Sequence, residues 1–370
     1  MLKKIYLYYP SFEKGGATKN LINLTNFFIK KKIKVILFSF NAKKKYFNKN
    51  EFLKIINCNP QKKFSFFPIR WNLALSSMLS LIKECKNSKK DTIIFSMQSH
   101  IPAILVALLF KKKIVIRNSE EPLGATKYAD NKILAFIVLF LKFVFYNFAD
   151  KIIAISKKSE KSLQSIVFKK EKISLILNPY LKKKFKNKRT RKSKKKKFNI
   201  LYAGRITYQK NLFPLVNSCI SLIEKNLNIH LTIVGNGNLK EKLQKKVKKF
   251  SNIRIVNWQN NLENEYLKSD LFVLNSFYEG LPNVLIDAVN YGIPCISSDV
   301  SGARDILLNG RGGYIIPIND RENLEKKILY VINNYDNAKK KALIAKSQIY
   351  KLGKNNLELF YKTFLKLVNY

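Results

Sequence analysis

Four charged side chains, set in two short runs, carry the chemistry this sequence can do. Arg205 and Lys210 stand in AGRITYQKNL (203–212), and Glu279 and Asp287 stand in FYEGLPNVLIDAVN (277–290). The first run reads as a strand end, a turn at Gly204, and a helix opening near Lys210. Two cations beside the backbone N–H groups of a helix N-terminus form a corner that binds a diphosphate. Taken alone, the same run also reads as an exposed turn with two solvated cations.

The second run places Glu279 in a loop at the carboxyl end of a strand, where ligands lie in open α/β sheets. Gly280, Leu281, Pro282, Asn283 and Val284 follow, with Pro282 suited to the first turn of a helix that includes Asp287. Eight residues of helix span roughly 12 Å and leave the two carboxylates about 80° apart. A glycosidase pair needs about 5–5.5 Å or roughly 6.5–9.5 Å between carboxyl groups. The two acids therefore suit different parts of one extended ligand. Asp287 alone also reads as a surface acid near a helix start.

Elements that could position these residues alternate as in parallel α/β sheets. Short apolar runs predict strands at Ile5–Tyr9, Ile33–Phe38, Thr92–Ser96, Ile114–Arg117, Lys151–Ile155 and Ile173–Leu177. The pattern restarts at Asn199–Ala203, His230–Val234, Ile253–Val256, Leu271–Asn275, Pro294–Ser297 and Gly313–Ile316. Between the halves, twelve of the sixteen residues Lys182–Lys197 are Lys or Arg, a block that reads as a solvated linker. The expected division is a domain at 1–178, a basic linker at 179–198 and a domain at 199–345. A helix at 346–370 is expected to return toward the first domain. The start reads as a first β-strand rather than a signal peptide.

At 370 residues, 46% hydrophobic and 25% charged, the chain has material for two packed cores. Its four cysteines are scattered and it has only two histidines, so zinc and disulfides are not expected and a reducing cytoplasm fits. Seventy basic against 24 acidic residues give a net charge of +46. Compositional bias, an anionic membrane surface and nucleic acid all compete to explain it. Nucleic acid ranks last, because the basic linker holds one ring, Phe185, and no aromatic-interleaved module. The apolar segment Ile133–Ala149 is just short of a spanning length of about 20 residues. It reads as a helix packed on the sheet, with a membrane-lying helix as the alternative. GNGNLK (235–240) has Lys240 where the third glycine of a dinucleotide fingerprint belongs, which disfavours an oxidoreductase.

In order and spacing, Gly15-Gly16-Ala17, GRITYQKNL (204–212), LTIVGNGNLKEKL (231–243), YEGLPNVLIDA (278–288) and GIPCISSDVSGARDIL (292–307) resemble the family-4 retaining glycosyltransferases. The resemblance covers most of the chain. It implies the GT-B fold, two Rossmann-like α/β/α domains whose parallel sheets face across an interdomain cleft. By the same resemblance Arg205 and Lys210 hold the donor pyrophosphate, Glu279 contacts the transferred sugar and Asp287 grips the ribose. Gly204 and the loop Gly280–Val284 line the donor site, and Gly15 and Gly16 let the first-domain loop approach it. Asp287 stands where the family usually has Glu. Where the family often has a first-domain histidine, this chain has Arg117-Asn118, which become the sugar-side candidates; His100 is read as structural.

The implied reaction is metal-independent transfer with retention, the donor diphosphate taking the acceptor's proton. The implied donor is a nucleotide diphosphate-sugar, UDP- ranked before GDP-, carrying a hexose or N-acetylhexosamine. The acceptor is a glycan or polyprenyl-type lipid-linked glycan of cell-surface polysaccharide biosynthesis. The expected station is cytoplasmic, peripheral on the inner face of an anionic membrane, with no nucleic-acid partner. A GT-B epimerase or phosphorylase is the alternative enzyme.

Overall fold

The structure is a computed structural model describing residues 2–13, 15–48, 51–88, 92–179, 197–259, 261–353 and 355–368. The basic linker read at 179–198 thus lies, from 180 to 196, outside the described residues. Two compact units are present. Unit 1 comprises Met1–Leu123, Ile133–Leu181 and Gly353–Tyr370; unit 2 comprises Gly124–Lys132 and Lys182–Leu352.

Unit 1 holds seven parallel strands: β1 (Lys4–Ser11), β2 (Lys34–Phe40), β3 (Leu53–Asn57), β4 (Ile93–Ser96), β5 (Ile114–Arg117), β6 (Lys151–Ala154) and β7 (Ile173–Leu175). They lie in the order β3-β2-β1-β4-β5-β6-β7. Alternation along β1 and β2 sends Tyr6, Tyr8, Ile36 and Phe38 to one face and Ile5, Leu7, Val35 and Leu37 to the other. The second face is closed by the helices Gly16–Lys30 and Asn356–Val368. There Phe364 meets Phe28 and Phe95 edge-on, at centroid distances of 5.3 and 5.0 Å. The C-terminal helix is therefore part of the unit 1 core.

Unit 2 holds six parallel strands: β8 (Phe198–Ala203), β9 (Ile229–Val234), β10 (Ile253–Val256), β11 (Leu271–Leu274), β12 (Cys295–Ser298) and β13 (Tyr314–Ile316). Their order is β10-β9-β8-β11-β12-β13. In both sheets the order reverses beside the first strand, at β1/β4 and at β8/β11. That reversal opens a crevice at the carboxyl ends of those strands. Gly15 follows β1, while Gly204–Lys210 follows β8 and Glu279 follows β11, so the topology delivers the candidate residues to the two switch points.

Two expectations change. The strand β3 was not predicted: it is an edge strand, only Leu53 of its five residues is buried, and Lys54 interrupts the apolar run. The segment 133–149 forms a helix, Lys132–Phe145, and a 3-10 turn, Tyr146–Phe148, but it does not bury its apolar face. Lys142 is the one buried residue of that helix.

Candidate active site

The chain leaves β8 through Gly204, whose φ of 154° and surroundings both require glycine: a Cβ there would lie 2.7 Å from the Tyr202 hydroxyl. That hydroxyl donates to the Arg205 carbonyl at 2.9 Å and fixes the turn. Burial, and then Glu279 nearby, push the Tyr202 phenol well above its ordinary pKa, so it stays a donor. The turn runs directly over the 235–237 loop. Gly204 N–H donates to Val234 O at 3.0 Å, Ile206 N–H to Asn236 O at 2.9 Å, and Leu239 N–H to Ile206 O at 3.1 Å. A Cβ on Gly235 would sit 1.8 Å from Gly204 O, and one on Gly237 2.1 Å from Ile206 O. These glycines, which the sequence offered as a failed dinucleotide fingerprint and as part of the family resemblance, are the floor on which the Arg205 turn rests.

A 3-10 turn, Tyr208–Lys210, follows, and Asn211 takes a left-handed conformation (φ 45°) before the helix Leu212–Glu224. This bend turns Lys210 inward. Its ammonium donates to Glu279 Oε1, and the Ser276 hydroxyl donates to the same oxygen at 2.7 Å. Lys210 and Glu279 are 9% and 8% exposed, so the pair is a buried one. The reading of Lys210 as a solvated cation is thereby excluded. Arg205 stays exposed, its Nη2 donating to Gln209 Oε1 at 3.1 Å.

Gln209 also clamps the second run. Its carbonyl accepts from Phe277 N–H at 2.9 Å, and its side-chain amide donates to Tyr278 O at 2.8 Å. Asn275 Nδ2 donates to Asn211 O at 3.0 Å. The Phe277 ring is stacked against Tyr128, a residue of the 124–132 segment of unit 2, and tilted against Tyr208. None of these clamping residues was singled out from the sequence, because Gln, Ser and Tyr have no fixed spacing signature.

Beyond Glu279, the loop Gly280–Pro282 is buried and the helix spans Asn283–Asn290. Pro282 is the residue before the helix rather than its first turn. Glu279 therefore lies outside the helix, and the helical separation of about 12 Å and about 80° worked out for the two acids does not apply. Gly302 (φ 79°) packs under the loop, where a Cβ would come within 2.7 Å of Leu281 Cδ1. The Ser298 hydroxyl donates to Ser276 O at 2.7 Å, tying β12 to the Glu279 loop. Asp287, at 5% exposure, is not a surface acid. It faces Tyr266, whose phenol is raised by burial first and by Asp287 next, and whose hydroxyl donates to Val284 O at 3.1 Å.

Comparison with known proteins decides the family. The Glycosyltransferase Family 4 profile matches residues 14–180, and the Glycosyl transferases group 1 profile matches 183–348. The chain is a family 4 glycosyltransferase. An uncharacterized glycosyltransferase of Methanocaldococcus jannaschii is 31% identical over 280 residues, 69% of this chain and 66% of its own length. A Campylobacter jejuni enzyme is 27% identical over 90% of both chains; it is named as an α-1,4-N-acetyl-D-galactosaminyltransferase acting on a GalNAc–GalNAc–diNAcBac-PP-undecaprenol. The fold matches the sucrose-phosphate synthase of Thermosynechococcus elongatus with a TM-score of 0.80 at 15% identity, over 99% of each chain. Anabaena HepE, solved with UDP, matches with a TM-score of 0.71 at 14% identity, over 98% of this chain and 100% of its own. These structures share the GT-B architecture.

In this glycosyltransferase the unit 1 candidates stand differently from those of unit 2. Gly15 has an extended backbone (φ 163°) just before the helix that Gly16 begins, and a Cβ there would meet nothing within 4 Å. Arg117 and Asn118 are each 1% exposed. Arg117 donates to Ser119 Oγ at 2.8 Å and to Asn178 Oδ1, and burial lowers its guanidinium to about 10. Asn118 donates to Glu120 O and accepts from the Tyr146 hydroxyl at 3.3 Å. Both residues hold the end of β5 from within. His100 opens a helix (His100–Leu109) and pairs with Ser96 Oγ at 2.9 Å.

Proposed function

We propose that this glycosyltransferase moves a hexose or N-acetylhexosamine, with retention, from a nucleotide diphosphate-sugar to a glycan or lipid-linked acceptor of surface-polysaccharide biosynthesis. The observation that carries this reading is the buried Lys210–Glu279 pair at the β8/β11 switch point, flanked by exposed Arg205 and by the Gly280–Val284 loop. A diphosphate arriving there meets Arg205 and Lys210. Charge that builds on the leaving group is then stabilised by cations already in place, which are worth most in a site that excludes water. Lys210 released from Glu279 by the incoming anion frees that carboxylate to accept from hydroxyls of the sugar. Asp287, one methylene shorter than Glu, reaches the ribose directly or through a water.

With two side-chain cations opposite the diphosphate, the proposed reaction needs no metal. UDP is ranked before GDP, in keeping with the UDP in the HepE structure. The acceptor reading follows the undecaprenol-linked acceptor named for the C. jejuni relative. It places the enzyme on the inner face of an anionic membrane, and the net charge of +46 supports that placement.

Calorimetry with UDP, GDP, ADP and dTDP tests the donor site. One diphosphate should bind, Lys210→Ala and Arg205→Ala should weaken it, and turnover should fall about 10²-fold or more. Wild-type affinity and rate in both variants would overturn the assignment.

A further inference from the structure

The helix Lys132–Phe145 is built inside out. Of its residues only Lys142 is buried, its ammonium turned inward onto Glu120, while Ile133, Phe136, Ile137, Phe140, Phe143 and Val144 are exposed, Ile133 to 77% and Phe136 to 67%. Those six positions follow a spacing of three and four, so they form one continuous stripe along the helix. The helix is seated on the unit 1 core through Leu139 and Phe145, with Tyr146 just after it buried. A helix in a globular protein ordinarily does the reverse, and scattered single exposures would need no account.

Further exposed apolar side chains lie on neighbouring segments. Phe168, 73% exposed, meets Phe143 edge-on at 5.3 Å. The helix His100–Leu109 packs beside the turn Tyr146–Phe148 and exposes Leu105, Leu108 and Leu109. Lysines follow each apolar tip: exposed Lys111 and Lys113 come after Leu109, and exposed Lys169 and Lys170 come directly after Phe168. The helix itself carries no acid.

We propose that this face of unit 1 is a membrane-docking surface that lies in the plane of an anionic bilayer. The stripe enters the headgroup–acyl boundary, and the lysines at its rim meet anionic headgroups. Apolar depth and basic rim together are what such a surface needs, since each alone gives weak, reversible attachment. Fourteen residues of helix reach about 21 Å, short of the roughly 30 Å hydrocarbon core. No described helix is long and apolar enough to cross a membrane. A second copy of the chain is the poorer occupant, because it brings another +46 against this one. The proposal deepens the reading above, in which the acceptor is presented at a membrane.

The test is flotation of the full chain with vesicles of phosphatidylcholine, with and without 30 mol% (about one lipid in three) phosphatidylglycerol, against Phe136→Ser/Phe140→Ser. The wild type should float with anionic vesicles, and the double variant should lose at least tenfold in partition while its UDP-type nucleotide binding and melting stay unchanged. The four native cysteines are buried. A fluorophore on Phe140→Cys can therefore be placed selectively, and its emission should shift to the blue on anionic vesicles. The same label on Gln244→Cys in unit 2 should not shift. Equal flotation of wild type and double variant, or no flotation of the wild type, would overturn the docking face and leave the donor-site reading intact. So would a dimer that the double variant dissociates without change in flotation. Absence of nucleotide binding with vesicle binding retained would instead break the transfer reading.

Discussion

A methyl group added at Gly204, after β8, would strike the Tyr202 hydroxyl at 2.7 Å, whereas one added at Gly15, after β1, would meet nothing within 4 Å. Both glycines lie between the first strand of a sheet and the helix that follows it, beside the point where the strand order reverses. In unit 2 the demand for glycine comes from the protein itself: Tyr202, Gly235 and Gly237 leave no room under the Arg205 turn. In unit 1 no atom of the described residues makes that demand, so the packing seen there does not account for a glycine. The difference separates a site assembled in advance, with its cation already paired, from a loop that the fold leaves open.

The largest effects should come from the Lys210–Glu279 pair. Lys210→Met leaves Glu279 buried with the Ser276 hydroxyl but without its cation, and should cost about 3–5 kcal/mol in denaturant unfolding. Lys210→Met/Glu279→Gln removes both charges and should recover most of that stability. Turnover should fall about 10²-fold or more in both, with no recovery in the double variant. Recovery of turnover together with stability would show that the pair is a structural feature, and the contrast between the units would lose its functional meaning.

Next is the floor of the turn. Gly235→Ala places a methyl group on the Gly204 carbonyl, a backbone atom that cannot swing aside, and should destabilise by about 3 kcal/mol. Nucleotide affinity should fall with it, because the displaced backbone carries Arg205. A variant with normal melting and normal affinity would mean that the close approach is not needed to shape the site.

Much of this was legible in the sequence, for reasons that also mark where legibility stops. Twelve of the strands are short, buried and parallel, so they read as apolar runs between Gly, Pro, Asn or Lys; β3, with one buried residue, does not. Arg205, Lys210, Glu279 and Asp287 stood out because charge beside glycine at a strand end is rare in a core. Their wiring did not, since Ser276, Gln209 and Asn275 act through positions that only the fold brings together. Hydrophobicity along 133–145 indicated a helix, but it reports affinity for an apolar surrounding and not whether protein supplies it. Arg117 and Asn118 were read at a strand end and lie at one, but the buried hydrogen bonds that hold them there, to Asn178, Ser119 and Glu120, join positions far apart in the chain or set by the loop and have no sequence signature.

Unit 1 also carries a buried titratable histidine. Burial first, then Lys142 and Arg117, lower His100 to about 3. The unfolded chain takes up that proton near pH 6.5, so the contribution is complete above that pH and is lost as the pH falls toward 3. Between pH 7 and pH 5 the wild type should lose about 2 kcal/mol more than His100→Gln in urea unfolding. Equal losses would place the histidine in water, contrary to its position against Ser96 and Tyr146.

The smallest change in stability is the most informative one. Gly15→Ala needs no left-handed backbone and meets no neighbour, so unfolding should shift by no more than about 0.5 kcal/mol. If the loop after β1 is kept bare for the donor or acceptor, the same methyl group should lower turnover about tenfold by holding the substrate off the backbone. A loss of activity with no loss of stability cannot come from packing within unit 1, where the methyl touches nothing. It would have to come from a ligand that the β1 loop closes upon, and unchanged turnover would return that loop to the status of an ordinary turn.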